Sequence, residues 1–189
     1  MKKIIIIILI VYPVFLFAQD PITIGGDNNW FNVLAPRGNF SFQMPQSGYN
    51  QRDTLSTLFY SLEIDTLLSL QVHHIGNVHT EMPVSDPVWQ QLLNQNGGDT
   101  LRAVGAMMLL LTNGTLEGIQ NITASGAQPP GIEIGIKYPS EKIAGNDLLI
   151  SRIYYQAGKF VAFTLTSTEG DAVRLGSYKT SFFNSIYFY

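Results

Sequence analysis

The sequence predicts an α+β fold on a mainly antiparallel sheet, and three observations carry that prediction. Leu148 to Thr168, LLISRIYYQAGKFVAFTLTST, reads as a β-hairpin. Two helix-period stretches lie between residues 86 and 112, with strand-period stretches before and after them. Both faces of the hairpin carry large apolar side chains, so the sheet requires cover on both sides.

The hairpin fixes an expected register. Gln156-Ala157-Gly158 fits a three-residue loop that ends on a left-handed glycine. Tyr155 then faces Lys159, Ile153 faces Val161, Ser151 faces Phe163 and Leu149 faces Leu165. One face carries Leu149, Ile153, Val161, Phe163 and Leu165; the other carries Ile150, Arg152, Tyr154, Phe160, Ala162 and Thr164. A two-residue Ala157-Gly158 turn would slip the pairing by one and oppose Arg152 to Phe163. The first register is preferred because it segregates one wholly apolar face.

Taken in order, the chain opens with MKKIIIIILIVYPVFLFAQ. Lys2 and Lys3 precede an apolar run of 14 residues, Ile4 to Phe17, and Ala18 offers a small residue for cleavage before Gln19. The run is shorter than the ~20 residues of a spanning helix. It is read as a signal peptide over residues 1–18, with one domain over 19–189. This implies export to the periplasm or the exterior, with no membrane span after cleavage.

Lys and Arg total 11 against 14 Asp and Glu; losing Lys2 and Lys3 leaves a net charge of −5. The charges are scattered, with no basic stripe, so nucleic acid is not an expected partner. There is no cysteine. That excludes disulfides, thiolate catalysis and thiolate metal sites, and leaves stability to the core.

Asp20 to Arg37 reads as a lead-in, with Gly25 to Asn29 as a loop and Trp30-Phe31 as an aromatic flap. Phe40 to Pro45 is a short strand with Phe40, Phe42 and Met44 inward. Residues 46–54 read as polar turns. Leu58 to Ile64 and Leu68 to Ile75 are strands, with Leu58, Tyr60, Leu62 and Ile64 on one face of the first and Leu68, Leu70, Val72 and His74 on one face of the second. Asp86 and Pro87 start a helix that Gly97 stops. A second runs from Asp99 or Thr100 to Thr112, with a stripe of Leu101, Val104, Met108 and Leu111, widened by Ala103, Ala106, Met107 and Leu110.

Leu116 to Ala124 is a strand interrupted by Gly118. Ile132, Ile134, Ile136 and Tyr138 alternate with Glu133, Gly135 and Lys137 as a half-buried strand. After the hairpin, Gly170-Asp171 starts a last helix with Ala172, Leu175, Tyr178 and Phe182 on one side, and Ser185 to Tyr189 forms a closing edge strand.

Several of these pieces resemble the PsbP-like family, which includes an extrinsic subunit of photosystem II. They are Trp30, GNFSFQMP at 38–45, the two central helices, PPGIEIGIKY at 129–138, RIYYQAGKFVAFTL at 152–165 and SFFNSIYFY at 181–189. The resemblance implies a three-layer α/β/α sandwich and a secreted binding or accessory domain. It maps no ligand residue onto a position of this chain.

Candidate chemistry is sparse. His73, His74 and His79 are the three histidines, with Glu81 nearby. Imidazoles this close suit zinc or copper, but adjacent residues on a strand point to opposite faces, so His73 and His74 diverge. Glu63, Asp65, Glu117 and Glu133 could pair in space as hydrolytic carboxylates, though solvated strand-face charges are the plainer reading. No nucleophile elbow, phosphate loop, zinc-helix motif or dinucleotide fingerprint occurs. No residue is assigned a catalytic, cofactor-binding or metal-binding role, and no cofactor is expected. The expectation is a non-catalytic exported domain that binds a partner protein or a small ligand. The alternatives are a secreted hydrolase with a spatially assembled site and a histidine-based metal-binding protein.

Overall fold

The computed structural model describes residues 24–25, 30–45, 48–54, 57–76 and 85–189. The expected signal peptide, its cleavage before Gln19, His79 and Glu81 all lie outside the described residues.

Eleven described strands form two sheets. The larger comprises β4 (Asn50–Asp53), β5 (Thr57–Glu63), β6 (Leu68–Ile75), β7 (Thr115–Ile122), β8 (Gly131–Pro139), β9 (Asn146–Gln156) and β10 (Lys159–Thr168). Its order is β4-β5-β6-β10-β9-β8-β7, and every neighbouring pair is antiparallel. The smaller comprises β1 (Ile24–Gly25), β2 (Phe31–Ala35), β3 (Phe40–Met44) and β11 (Tyr187–Phe188), in the order β1-β2-β3-β11. Three helices join them: α1 (Pro87–Gln95), α2 (Thr100–Thr112) and α3 (Ala172–Asn184).

The helix starts follow their caps. The Asp86 carboxylate accepts from the amides of Val88 at 2.9 Å and Trp89 at 3.0 Å, and Pro87 takes the first helical position. Asp99 accepts from the Arg102 amide at 3.1 Å. Asn113, left-handed at φ 50°, ends α2.

Two cores lie on the two faces of the larger sheet. Ile132, Ile134, Ile136, Leu149, Ile153 and Phe160 pack with Trp89, Val104 and Met108 of α1 and α2. Gly105 permits the close approach, since a Cβ there would sit 3.1 Å from Ile134 Cδ1. On the opposite face Leu70, Val72, Phe163 and Leu165 pack with Phe40 and Phe42 of the smaller sheet and Leu175 and Phe182 of α3.

The hairpin register is the two-residue alternative, not the preferred one. Gln156 pairs with Lys159, Tyr154 with Val161, Arg152 with Phe163 and Ile150 with Leu165. Ala157 at φ 50° and Gly158 at φ 81° form the turn, which matches strand twist when both central residues are left-handed. Each strand alternates as expected, but the faces recombine: Phe163 joins Tyr154 in one core, and Phe160 joins Ile153 in the other. Because both faces are buried, segregating a single apolar face confers no advantage. Alanine is a poor left-handed residue. Ala157→Asn is therefore expected to raise stability by about 0.5–1 kcal/mol, read from the urea midpoint; an unchanged or lower midpoint contradicts the turn assignment.

Other expectations change too. Gly25 lies in β1, and Phe31 opens β2 where a flap was expected; Trp30 packs against Tyr178, with ring centroids 5.9 Å apart. Residues 50–53, read as turns, form edge strand β4 through backbone pairing with β5. The strands of Phe40 and Phe188 belong to the smaller sheet. Leu110 does not widen the buried stripe of α2, being 61% exposed.

Candidate functional site

The helix-facing side of the larger sheet is apolar under α1 and α2 but polar beside them. Alternation along β5, β6 and β10 places Ser61, Glu63, Ser69, Gln71, Thr166 and Thr168 on this side, and β9 adds Asp147. These side chains line a cavity of about 140 Å³ at the end of the sheet where β5, β8 and β10 finish. The last turn of α2 supplies Leu111 and Thr112, and the segment after β8 supplies Glu141 and Lys142.

Two of the cavity's buried acceptors are unmatched. Asp147 is 8% exposed and its Oδ1 accepts no hydrogen bond from a protein group; Gln71 is 7% exposed and its Oε1 is in the same position. A buried acceptor without a donor costs roughly 1–3 kcal/mol, and more when charged. Neighbouring polar groups are by contrast paired. Ser151 Oγ and Thr164 Oγ1 lie 2.9 Å apart, and Thr112 Oγ1 donates to the Met108 carbonyl at 2.9 Å. Lys142 Nζ donates to the Thr66 carbonyl at 3.2 Å.

The histidines lie elsewhere. His73 and His74 are both buried on β6 and face opposite cores, as adjacency on a strand dictates. His73 packs edge-on to Phe59, and His74 packs against Phe40. Burial, helped by the neighbouring His74 charge, pushes the His73 imidazole down to about 4. Burial, helped by Lys159 and Arg37, pushes His74 down to about 4 as well. His74 lines a groove of about 210 Å³ at the opposite end of the sheet, with Tyr154, Phe160 and Phe188. Among the described residues no three His, Cys, Asp or Glu groups are placed to hold a metal ion together.

The carboxylates separate by environment. Glu63 lies at the cavity mouth, and Glu117 is exposed on β7. Asp65 accepts from the amides of Leu67 and Leu68 and pairs with Arg174 at 2.6 Å, so its carboxyl sits below the usual range. Glu133 is not a freely solvated strand-face charge. It binds Arg152 at 2.8 Å and Lys179 at 2.6 Å. Burial pushes the Glu133 carboxyl up, but these two cations outweigh burial and hold it low. Glu133 and Glu117 border an open groove of about 430 Å³ along β7 and β8.

The sequence did not single out Gln71 or Asp147. The one signal available is the alternation Ser69-x-Gln71-x-His73, a polar stripe whose Gln71 and His73 are buried.

No protein-family model matches the sequence, and no curated protein matches it. Among solved structures, the chain is similar to cyanobacterial PsbP (CyanoP) from Synechocystis sp. PCC 6803, with a TM-score of 0.52. The likeness covers 92% of this chain and 99% of that one, at 14% sequence identity. The fold is PsbP-like. Two looser likenesses carry no argument. One is to a Pseudomonas aeruginosa protein of unknown function, TM-score 0.39 at 15% identity, covering 74% of this chain and 85% of that one. The other is to LpqN of Mycobacterium tuberculosis, involved in cell envelope biogenesis, TM-score 0.31 at 10% identity, covering 88% and 87%. Within this PsbP-like fold, the cavity lies between the C-terminal turn of α2 and the polar half of the sheet. No helix among the described residues is long and apolar enough to cross a membrane.

Proposed function

We propose that the protein is an exported, non-catalytic PsbP-like binding domain, with helices layered on both sides of its sheet, that holds a small polar ligand in the cavity beside α2. The observation that carries this reading is the pair of buried acceptors, on Gln71 and Asp147, that line it without protein donors. A cavity of about 140 Å³ is small beside the ~300–1,000 Å³ of sites for drug-sized ligands. The ligand is accordingly small. Export rests on the charged and apolar N-terminus. The hydrolase reading has no histidine beside the cavity's hydroxyls among the described residues, since neither His73 nor His74 lines it.

Thermal denaturation with a panel of small polar metabolites tests this. A ligand at about 100 times its Kd adds roughly 2.7 kcal/mol, enough to raise the Tm visibly. Thr166→Phe, which fills the cavity from the half-buried end of β10, is expected to abolish the shift. A shift that survives this variant, or no shift from any compound, overturns the reading.

A protein partner is a second reading, favoured by β7. This edge strand is exposed almost throughout, Leu116 and Ile119 included, and such an edge can accept an added strand.

A further inference from the structure

We infer that the cavity beside α2 selects a short aliphatic primary ammonium compound; this rests on the proposed reading of that cavity as a binding site. The interior presents acceptors. Asp147 Oδ1 and Gln71 Oε1 are both more than nine-tenths buried and receive no hydrogen bond from the protein. An ammonium group brings three donors and a positive charge, which answers the buried Asp147 carboxylate. Gln71 lies two strands away and further along the sheet, since it pairs with Thr164 whereas Asp147 pairs with Thr168.

The mouth repeats the preference. Glu63 and Glu141 are exposed carboxylates on the cavity wall. The opposing cation, Lys142, is tethered to the Thr66 carbonyl at 3.2 Å. The balance of three carboxylates against one lysine disfavours an anion and favours a cation.

The cation is organic. The acidic groups do not converge as a three-ligand metal set among the described residues. They are spread from the buried Asp147 to the exposed rim, which suits a ligand with length. Leu111, Leu67 and the ring of Tyr138 line the path between and offer contact to a methylene chain. The volume of about 140 Å³ is close to that of an engineered cavity which takes benzene, so roughly six heavy atoms fit. A four-carbon diamine has that size. It would set one ammonium at Asp147 and the other at the rim.

The experiment is an NMR titration of the purified protein at neutral pH with 1,4-diaminobutane, n-butylamine, 1,4-butanediol and butyrate. The expected order is diaminobutane tightest and n-butylamine next, with the diol and butyrate weaker by about tenfold or more. Asp147→Asn is expected to weaken diaminobutane by about tenfold and Glu63→Gln by about threefold. Glu63 is exposed, so its variant remains informative if Asp147→Asn does not fold. Equal binding of the diol or butyrate overturns the ammonium class while leaving the cavity as a site. Unchanged affinity in both variants also overturns it. A different ligand that is lost in Thr166→Phe, with no amine bound, overturns this inference alone. No ligand of any kind at this end overturns both readings.

Discussion

Phe163→Ala is expected to lower the unfolding free energy by about 3–5 kcal/mol, the range for a buried aromatic truncated to alanine. Phe163 is 0% exposed in the centre of β10. Its ring meets Phe40 edge-on at 5.5 Å, Phe42 at 5.8 Å, Phe182 at 6.1 Å and Tyr154 at 6.1 Å. It therefore joins the larger sheet, the smaller sheet and α3 at one point, and the cavity left by its removal can collapse only by moving all three. Thr166, three residues on and half-buried on the other face, is the comparison. Thr166→Ala is expected to change stability by less than about 1 kcal/mol. Chemical denaturation of both variants checks this, and closely similar midpoints would contradict the assignment of faces.

Acid is expected to destabilise the protein well before its carboxylates titrate. The unfolded His73 and His74 imidazoles take protons near 6.5, whereas in the folded chain burial holds each down to about 4. Between those values only the unfolded chain is protonated. The contribution is complete above about pH 6.5 and is lost as pH falls toward 4. For two histidines this amounts to about 3 kcal/mol between pH 6.5 and 5. That is a large part of a typical stability of ~5–15 kcal/mol.

The groups around the histidines reinforce this direction. Phe40 faces His74, Phe59 faces His73, and the charges acting on His74 are the cations Lys159 and Arg37. Asp65 and Glu133, held low by their own partners, lose their contributions only as pH falls from the usual carboxylate range downward, below the window of the histidines. Urea midpoints from pH 7 to pH 5 are the measurement. A flat profile, or a slope that persists unchanged in His73→Phe and His74→Phe, contradicts the buried placement of both rings.

The sequence made the elements legible where local chemistry decides them. Asp86 caps the helix it was expected to cap, and Asp99, one of the two expected starts of the next helix, caps that one. Phe40, Phe42 and Met44 point inward, and Gly118 marks the irregularity in β7. Pairing between elements was less legible. The hairpin register turned on an apolar face, yet the structure tolerates Arg152 opposite Phe163 because long-range partners receive the guanidinium. Its Nε donates to Glu133, and its Cζ lies 4.7 Å from the centroid of the Phe183 ring. Neither partner is adjacent in sequence. Strand β4, Asn-Gln-Arg-Asp, carries no apolar period because it is an exposed edge held by backbone bonds. The cavity was least legible of all. Its side chains come from five strands, one helix end and two connecting segments, and its polar residues are each ordinary in their own segment.

The most direct measurement is an amide chemical-shift map of the protein, taken as a stabilising ligand from the thermal panel is added. The account predicts that the largest shifts fall at Glu63, Ser69, Gln71, Asp147 and Thr166, around the cavity beside α2. Shifts centred on His74 and Phe188 at the opposite end of the sheet, or on β7, would contradict it.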